Sequence, residues 1–481
     1  MPMKKKYLSL VFIIVTFIIG IVLGVWQIQP PRVNKSSDMY PAYKRMMVNL
    51  QQMNTGPRPS GSGENAIVRA KILSEIEDMG LTPTIQDTVY TLNEMIEKLL
   101  LDGGVSSTDE FWEAYHDLVA KYYGIYSLDD FMDYLGSTFN EDGNIPLHNI
   151  IVKLDAPDTD SGMLFIAHYD SVPEGPGAAD DMLGVVSLLE AVRSQAQNNT
   201  LENDLYFLFT DGEENGKLGA NKFVAAYPEL KEKIALVINI DSLGNQGSLM
   251  LYQTSPNAYR MIEVVKKSGA WPYGYSVGAK VHSLMASDSD LTEFLNEGYN
   301  GLNFAVIEGS KVNHTMEDNY ENLNPNTTWH CLQTTLSLAD YAANYSLANL
   351  QKPSREAIFF PFLPGVMVLL TDILSHILCA IACALVLTAG VLKAKKKQLK
   401  PTLLTILMSL LISVSLICSI FFVAGSYLFY IPLMLIAITS LVKKWPKVYI
   451  LAKMVSGIVV LMLWTPAFIV TWQTLVVQMM L

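Results

Sequence analysis

"DLYFLFTDGEENG", Asp204–Gly216, sets an unbroken apolar run against three acidic residues, Asp211, Glu213 and Glu214, crowded into four positions. A short aromatic and branched run stopped by a glycine reads as a strand buried on both faces. Like charges this close resist burial, so three of them closing such a strand need a purpose. Working outward, the pattern returns. "HNIIVKL" (148–154) and "MLFIAHYD" (163–170) come before it, and "IALVINID" (234–241) and "NFAVIEG" (303–309) after it. Helical stretches such as "LGVVSLLEAVRSQ" (183–195) and "YRMIEVVKK" (259–267) lie between them. Buried strands alternating with amphipathic helices indicate an α/β fold, a mixed, largely parallel sheet sandwiched by helices. Such sheets bind ligands at the carboxyl ends of their strands.

Those ends carry residues able to hold a metal: His168 and Asp170, Glu213 and Glu214, Asp241, and, beyond "NFAVIEGSKVN", His314. Between the first two, "GPGAADDMLG" puts Asp180 and Asp181 at the start of a helix. Singly each has an ordinary reading: a helix cap for Asp181, a core imidazole for His168, solvated carboxylates for the glutamates, a loop histidine for His314. Gathered on one sheet edge, so much negative charge would raise proton affinities and destabilise the fold unless cations offset it. Imidazole and carboxylate without thiolate suit catalytic zinc, with manganese or cobalt as substitutes. The donors exceed what one zinc ion takes, which favours two ions sharing a carboxylate. No HExxH occurs, so the helix-borne single-zinc site is excluded. His168 and Asp170 share one strand face, and Asp170 can orient the imidazole. Adjacent residues diverge, so one residue of Asp180/Asp181 and one of Glu213/Glu214 is a ligand. The remaining glutamate is left to move a proton, and Asp211 stabilises the turn.

Half of the 481 residues are hydrophobic, which directs attention to segments that belong in lipid. Tyr7–Ile28 is uncharged and close to the roughly 20 residues of a spanning helix, with no cleavage site after it; residues 1–29 read as an anchor. From Ala357 onward the only acidic residue is Asp372, and four spans fit, about 372–392, 402–424, 427–442 and 448–474, making 357–481 a membrane domain. With five spans, Lys4–Lys6, "KAKKKQLK" and "KKWPK" all fall on the cytoplasmic side, and residues 30–356 and the C-terminus lie outside. The formal charge is −12; with +3 on residues 1–29 and +8 on 357–481, the middle region carries −23, which excludes nucleic acid as a partner. Three of the four cysteines, Cys379, Cys383 and Cys418, fall in expected spans, so neither a disulfide framework nor a thiolate zinc site is present. Within the middle region, 30–55 reads as a polar stalk and a short helix, and "GPRPSGSGEN" (56–65) as a loop before a helix over Ala66–Met79. Residues 91–144 read as a helical, aromatic insertion that caps the domain.

The ordered set "HYDS", "GAADD", "DGEENGKLGA", "NIDSLG" and "NHTMED" resembles the co-catalytic zinc aminopeptidases and their relatives, whose pattern is H-x-D, G-A-D-D, G-E-E-x-G, a later Asp or Glu, and H-T-x-x-D. "GPRPSGSGEN" resembles a loop of the same family. "SDLTEFLNEGYNGLNFAVIEG" resembles the branch containing the endoplasmic reticulum metallopeptidase and the vacuolar membrane protease, which also join this domain to membrane spans. The resemblance covers roughly residues 50–345. It implies a zinc aminopeptidase (phosphorylase/hydrolase-like) fold and two zinc ions, one on His168 and Asp241, the other on Glu214 and His314. It further implies Asp180 as the bridge, with a cis peptide to Asp181, Glu213 as general base, and Asp170 and Asp318 as partners of the two histidines. Asn313 stands where the family often has Tyr, Asn319 replaces a common Thr, and 91–144 has no counterpart in the minimal enzymes; these departures bear on substrate choice.

The expectation is a multi-pass, membrane-anchored exopeptidase, an aminopeptidase acting on peptides outside the cytoplasm, in contact with membrane lipid; the plain lysine-rich N-terminus points to a bacterial membrane. A carboxypeptidase or a glutaminyl cyclase on the same scaffold is the alternative, although "DGEENGKLGA" resembles the hydrolase form. A binding protein that has lost catalysis would have lost ligands, and here they are all present. A transporter would place ionisable groups inside its spans; His376, Lys453 and Asp372 fall near span ends, where they can reach the interface.

Overall fold

The computed structural model describes residues 3–395 apart from 103, 124, 138–142, 158, 160, 199 and 284–287, together with 427–428, 431–432, 434–435, 453, 455–461 and 463–464. In chain order, α1 (Met3–Gln27), α2 (Tyr40–Met53) and α3 (Gly63–Asp78) precede β1 (Thr84–Thr91); α4 (Leu92–Asp102), α5 (Thr108–Tyr123) and α6 (Leu128–Ser137) separate β1 from β2 (Asn144–Leu154). Then come β3 (Gly162–His168), α7 (Leu183–Gln195), β4 (Asp204–Thr210), α8 (Leu218–Ala226), α9 (Leu230–Lys233), β5 (Ile234–Ile240), β6 (Leu249–Thr254) and α10 (Tyr259–Lys267). The chain continues through α11 (Ser276–His282), α12 (Asp290–Asn296), β7 (Gly301–Val306), α13 (Pro325–Asn344), β8 (Ala357–Leu363), β9 (Val366–Thr371) and α14 (Asp372–Lys395).

The sheet runs β1-β2-β4-β3-β5-β7-β6. Its four central strands are mutually parallel, while β1–β2, β2–β4 and β7–β6 pair antiparallel. The expected largely parallel sheet is therefore a parallel centre with antiparallel flanks. Only the parallel strands need covering on both faces, and β3, β4, β5 and β7 are buried along their whole length. Strand alternation sorts their side chains. Met163, Phe165 and Ala167 pack with α2, α3, α7 and α13, whereas Leu164 and Ile166 pack with α8 and α12. Each large apolar side chain so buried stabilises by about 1.5–3 kcal/mol.

The short helix expected after the stalk is α2, and it belongs to the domain: its Tyr43, Met46, Leu50 and Met53 are buried in the main core. Their spacing makes one apolar helix face, which packs on α7. The region from Ala357, expected to be a membrane domain, opens with a β-hairpin, β8–β9, before α14 begins at Asp372, where the first of its four spans was expected. The insertion is helical as expected, an excursion out of the β1–β2 pair that rejoins at Thr91↔Asn144. It has a small core of its own, Val119 and Phe131 with Phe111 and Trp112, and is pinned to the domain by Lys98–Glu293 (2.6 Å) and Glu94–Lys222 (2.5 Å).

Among the described residues no helix is long and apolar enough to cross a membrane. Helix α1 covers the first expected span, with its side chains up to Leu10, and those of Phe12 and Ile13, outside the described residues; α14 covers the second. The third expected span and Cys418 lie wholly outside the described residues, and the last two spans largely so.

Candidate metal centre

The parallel centre brings the C-terminal ends of β3, β4, β5 and β7 to one edge, and the acid-rich loops follow from there. His168 is the last residue of β3 and is fully buried. Its Nε2 lies 2.9 Å from Asp180 Oδ1 and its Nδ1 3.4 Å from Asp170 Oδ1. Asp170 also accepts from the backbone N–H of Glu213 (3.1 Å) and of Glu214 (3.2 Å), so one carboxylate orients the imidazole and the glutamate turn together. On the far side His314 Nε2 stands 3.1 Å from Glu214 Oε2 and 3.4 Å from Asp180 Oδ2. Asp180 thus faces both histidines, one oxygen to each. Asp181 points elsewhere, accepting from Gly184 N–H (3.1 Å) at the start of α7. The peptide between the two aspartates is cis, as the resemblance implied.

The three acids of "TDGEENG" divide the work. Asp211 turns inward, where Ser60 Oγ, Asn65 Nδ2, His148 N–H and Tyr169 OH all donate to its carboxylate. Burial pushes it up to about 6, and it braces the turn as expected. Glu214 joins His168 and Asp180, and ligand-capable atoms of these three lie within 4.8 Å of one another. Glu213 is held beside them. Burial and then Asp241 raise its proton affinity well above the usual carboxylate range. Asp241 follows β5, buried, and is pushed up to about 8 by burial and by Asp180; it lies outside the tight donor trio.

The donors suit a divalent cation. Burial works against charge on both histidines, yet Asp170 and Asp180 raise His168, and Asp180 and Glu214 raise His314 to about 11. Protons thus hold the carboxylates together here, and a cation replaces such protons when it binds. Glu214 Oε1 is buried without a hydrogen-bond partner, a cost that a ligated ion removes. The set is nitrogen and oxygen only, as catalytic zinc accepts.

Four residues enter that sequence reasoning missed or placed differently. Arg58 of "GPRPSGSGEN" is completely buried and donates to the carbonyls of Tyr169 (2.6 Å), Gly177 (2.9 Å) and Pro176, bracing the loop that carries Asp180. Gly177 there has φ 55, and a Cβ on it would stand 2.1 Å from Asp180 O, so the loop tolerates no side chain. Asp318, expected beside His314, instead accepts from the N–H groups of Ala179 (2.8 Å) and Asp180 (3.2 Å). It clamps the backbone at Asp180, whereas the resemblance implied a partner for His314. Asn313 donates to Asp180 Oδ2 at 2.6 Å, so this departure from the family touches the metal centre itself. Asp290, at the start of α12, is buried, accepts from Thr210 Oγ1 and is pushed up to about 7 by burial.

With this geometry in place, the chain can be compared with known proteins. Residues 149–339 match peptidase family M28. The M28 segment runs from within β2 into α13 and contains His168, Asp170, Asp180, Glu213, Glu214, Asp241 and His314. The vacuolar membrane protease of Candida dubliniensis is 27% identical over 371 residues, 75% of this chain and 34% of that protein. The vacuolar membrane protease of Saccharomyces cerevisiae is 32% identical over 221 residues, 45% of this chain and 22% of that protein. The chain therefore spans 34% or less of the length of these curated relatives. Both are fungal and lend nothing to the bacterial membrane expected above. Among solved structures, the aminopeptidase from Aneurinibacillus sp. strain AM-1 has 16% identity and a TM-score of 0.45, covering 63% of this chain and 93% of that one. The Porphyromonas gingivalis glutaminyl cyclase has 18% identity and a TM-score of 0.44, covering 63% and 99%.

Proposed function

We propose that this chain is a membrane-anchored, zinc-dependent exopeptidase, an aminopeptidase hydrolysing peptides outside the cytoplasm. The observation that carries the reading is the meeting of His168, Asp180 and Glu214 within 4.8 Å beside Glu213, on an M28 segment. In this reading His168 and Asp241 would hold one zinc ion and Glu214 and His314 the other, with Asp180, which faces both histidines, shared between them. Two zinc ions, when bound, polarise the scissile carbonyl and acidify the attacking water. Glu213 takes the proton of that water and returns it to the leaving amine, a task its raised proton affinity suits. Asp170 keeps His168 and the glutamate turn in register while this happens.

Anchoring is supported by the uncharged run Tyr7–Ile28 and by apolar side chains exposed along α1 (Val11, Phe17, Ile18, Val22) and α14 (Ile373, Ile377, Ile381). The lysine distribution supports the five-span arrangement with the M28 segment outside. The test is the purified full-length chain with aminoacyl fluorogenic substrates and added zinc. Glu213→Gln is expected to keep two zinc ions per chain while losing about 10²–10⁴-fold in turnover. A variant of near-normal activity would remove the base, and one zinc per chain would remove the paired-ion site.

A further inference from the structure

The stretch Ala357–Thr371, "AIFFPFLPGVMVLLT", has no charged residue, yet it forms the β8–β9 ribbon and not a helix. Alternation gives the ribbon two apolar faces. Ala357, Phe359 and Met367 join the main core of the α/β unit. Ile358 and Phe360 join a second cluster with Tyr252 of β6, Cys379 of α14 and Tyr427, where the rings of Phe360 and Tyr427 stack at 4.3 Å. The tip differs from both faces. Its turn is seated on the α/β unit, where a Cβ at Gly365 would stand 3.0 Å from the indole of Trp271, while Phe362, Leu363 and Val366 are 44%, 37% and 49% exposed. Gln27 Nε2 donates to Pro361 O, which brings the last residue of α1, with exposed Trp26 before it, to the same place. At the other end Thr371 runs without a linker into α14, whose first turns expose Ile373, Leu374 and Ile377.

We propose that the β8–β9 ribbon lies along the surface of a lipid bilayer, with Phe362, Leu363 and Val366 inserted at the boundary between headgroups and acyl chains. The inference rests on the membrane anchoring proposed above. A contiguous exposed apolar patch marks an interaction site. The exposed apolar side chains of α1 beside the tip and of α14 at the ribbon's other end assign that site to lipid. Depth is limited by the backbone. A two-stranded ribbon leaves N–H and C=O groups unpaired on its outer edges, which hydrocarbon cannot satisfy but water and headgroups can. The tip therefore sits at the shallow depth of interfacial segments, about 5–10 Å. Packed on both faces and joined to α1 and α14, the ribbon fixes the height and tilt of the catalytic edge over the membrane.

The test places photoreactive benzoylphenylalanine at Phe362, at Val15 of α1 and at exposed Tyr345, each in the full-length chain in phospholipid nanodiscs. After irradiation, phospholipid adducts are expected at positions 362 and 15, those at 362 on the upper acyl carbons, with background only at 345. Adducts at 15 but not at 362 would overturn the inference and leave the anchor standing. Crosslinks from 362 to a second copy of the chain, or to the terminal methyl end of lipid tails, would overturn it as well. Absence of adducts at 15 would remove the anchor, and the ribbon's placement with it.

Discussion

Arg58 directs its guanidinium entirely at backbone carbonyls, with none of its surface exposed. Burial lowers its proton affinity, but Asp170, Asp318, Asp180 and Glu214 stand close enough to favour the charge, and a guanidinium does not deprotonate in proteins. It is thus a fixed cation beneath an acidic centre. Arg58→Met would strand three carbonyls and leave the acids uncompensated, a loss of about 3 kcal/mol or more in urea unfolding. Arg58→Lys keeps the charge without the planar fork and is expected to fall between. A Met variant within about 1 kcal/mol of the wild type would show that the loop holds itself. No sequence signal marked this residue, because a Gly, Pro and Ser-rich loop reads as solvated and only tertiary packing reveals that it is covered. The metal-capable residues were legible for the opposite reason. A charge placed directly behind a fully apolar strand is a local contradiction, and His168, Glu214 and Asp241 each announce themselves that way.

Among elements, the strands of the parallel centre were readable because burial on both faces makes each a continuous apolar run. The flanking strand β1, "TIQDTVYT", is half exposed and mostly polar, and β6, "LMLYQT", is short and follows a loop, so neither stood out. Helix α2 was legible as a short helix after the stalk, but its place in the core was not, since its polar face dominates its composition. Its contribution is measurable. Met46 is fully buried, in reach of Ser187 on α7, and Met46→Ala should cost about 2–5 kcal/mol through lost burial and a residual cavity. Thermal unfolding of the full chain is the readout. An unchanged melting temperature would return α2 to the role of a spacer outside the core.

At the scale of the whole molecule, the excess of negative charge in the middle region converges on its metal centre and makes folding depend on pH. Asp241, Asp290 and Asp318 are pushed up by burial to about 8, 7 and 7 from an ordinary value of 3.8. Between these values the zinc-free folded protein holds protons that the unfolded chain has released, so this stability is present at low pH and lost as pH rises through about 7–8. Buried His282 and His330 act with the other sign. Both are lowered by burial to about 4, so they withdraw stability as pH falls below 6.5. Above pH 6.5 the acids act with the same sign as His168 and His314, which are raised by the carboxylates around them and also hold protons that unfolded histidines have released. Zinc would need Asp241 and the other ligand carboxylates ionised and the site histidines neutral, so protons and zinc compete. With zinc at about 100 times its Kd, loading adds about 2.7 kcal/mol, and the apparent Kd itself weakens as pH falls. Melting temperatures with chelator are expected to drop from pH 6.5 to pH 8.5, while the increment on adding a fixed zinc concentration grows over the same interval. An increment that stays constant would mean that protons and metal occupy different groups, and that the carboxylates gathered at the strand ends are not the site that binds zinc.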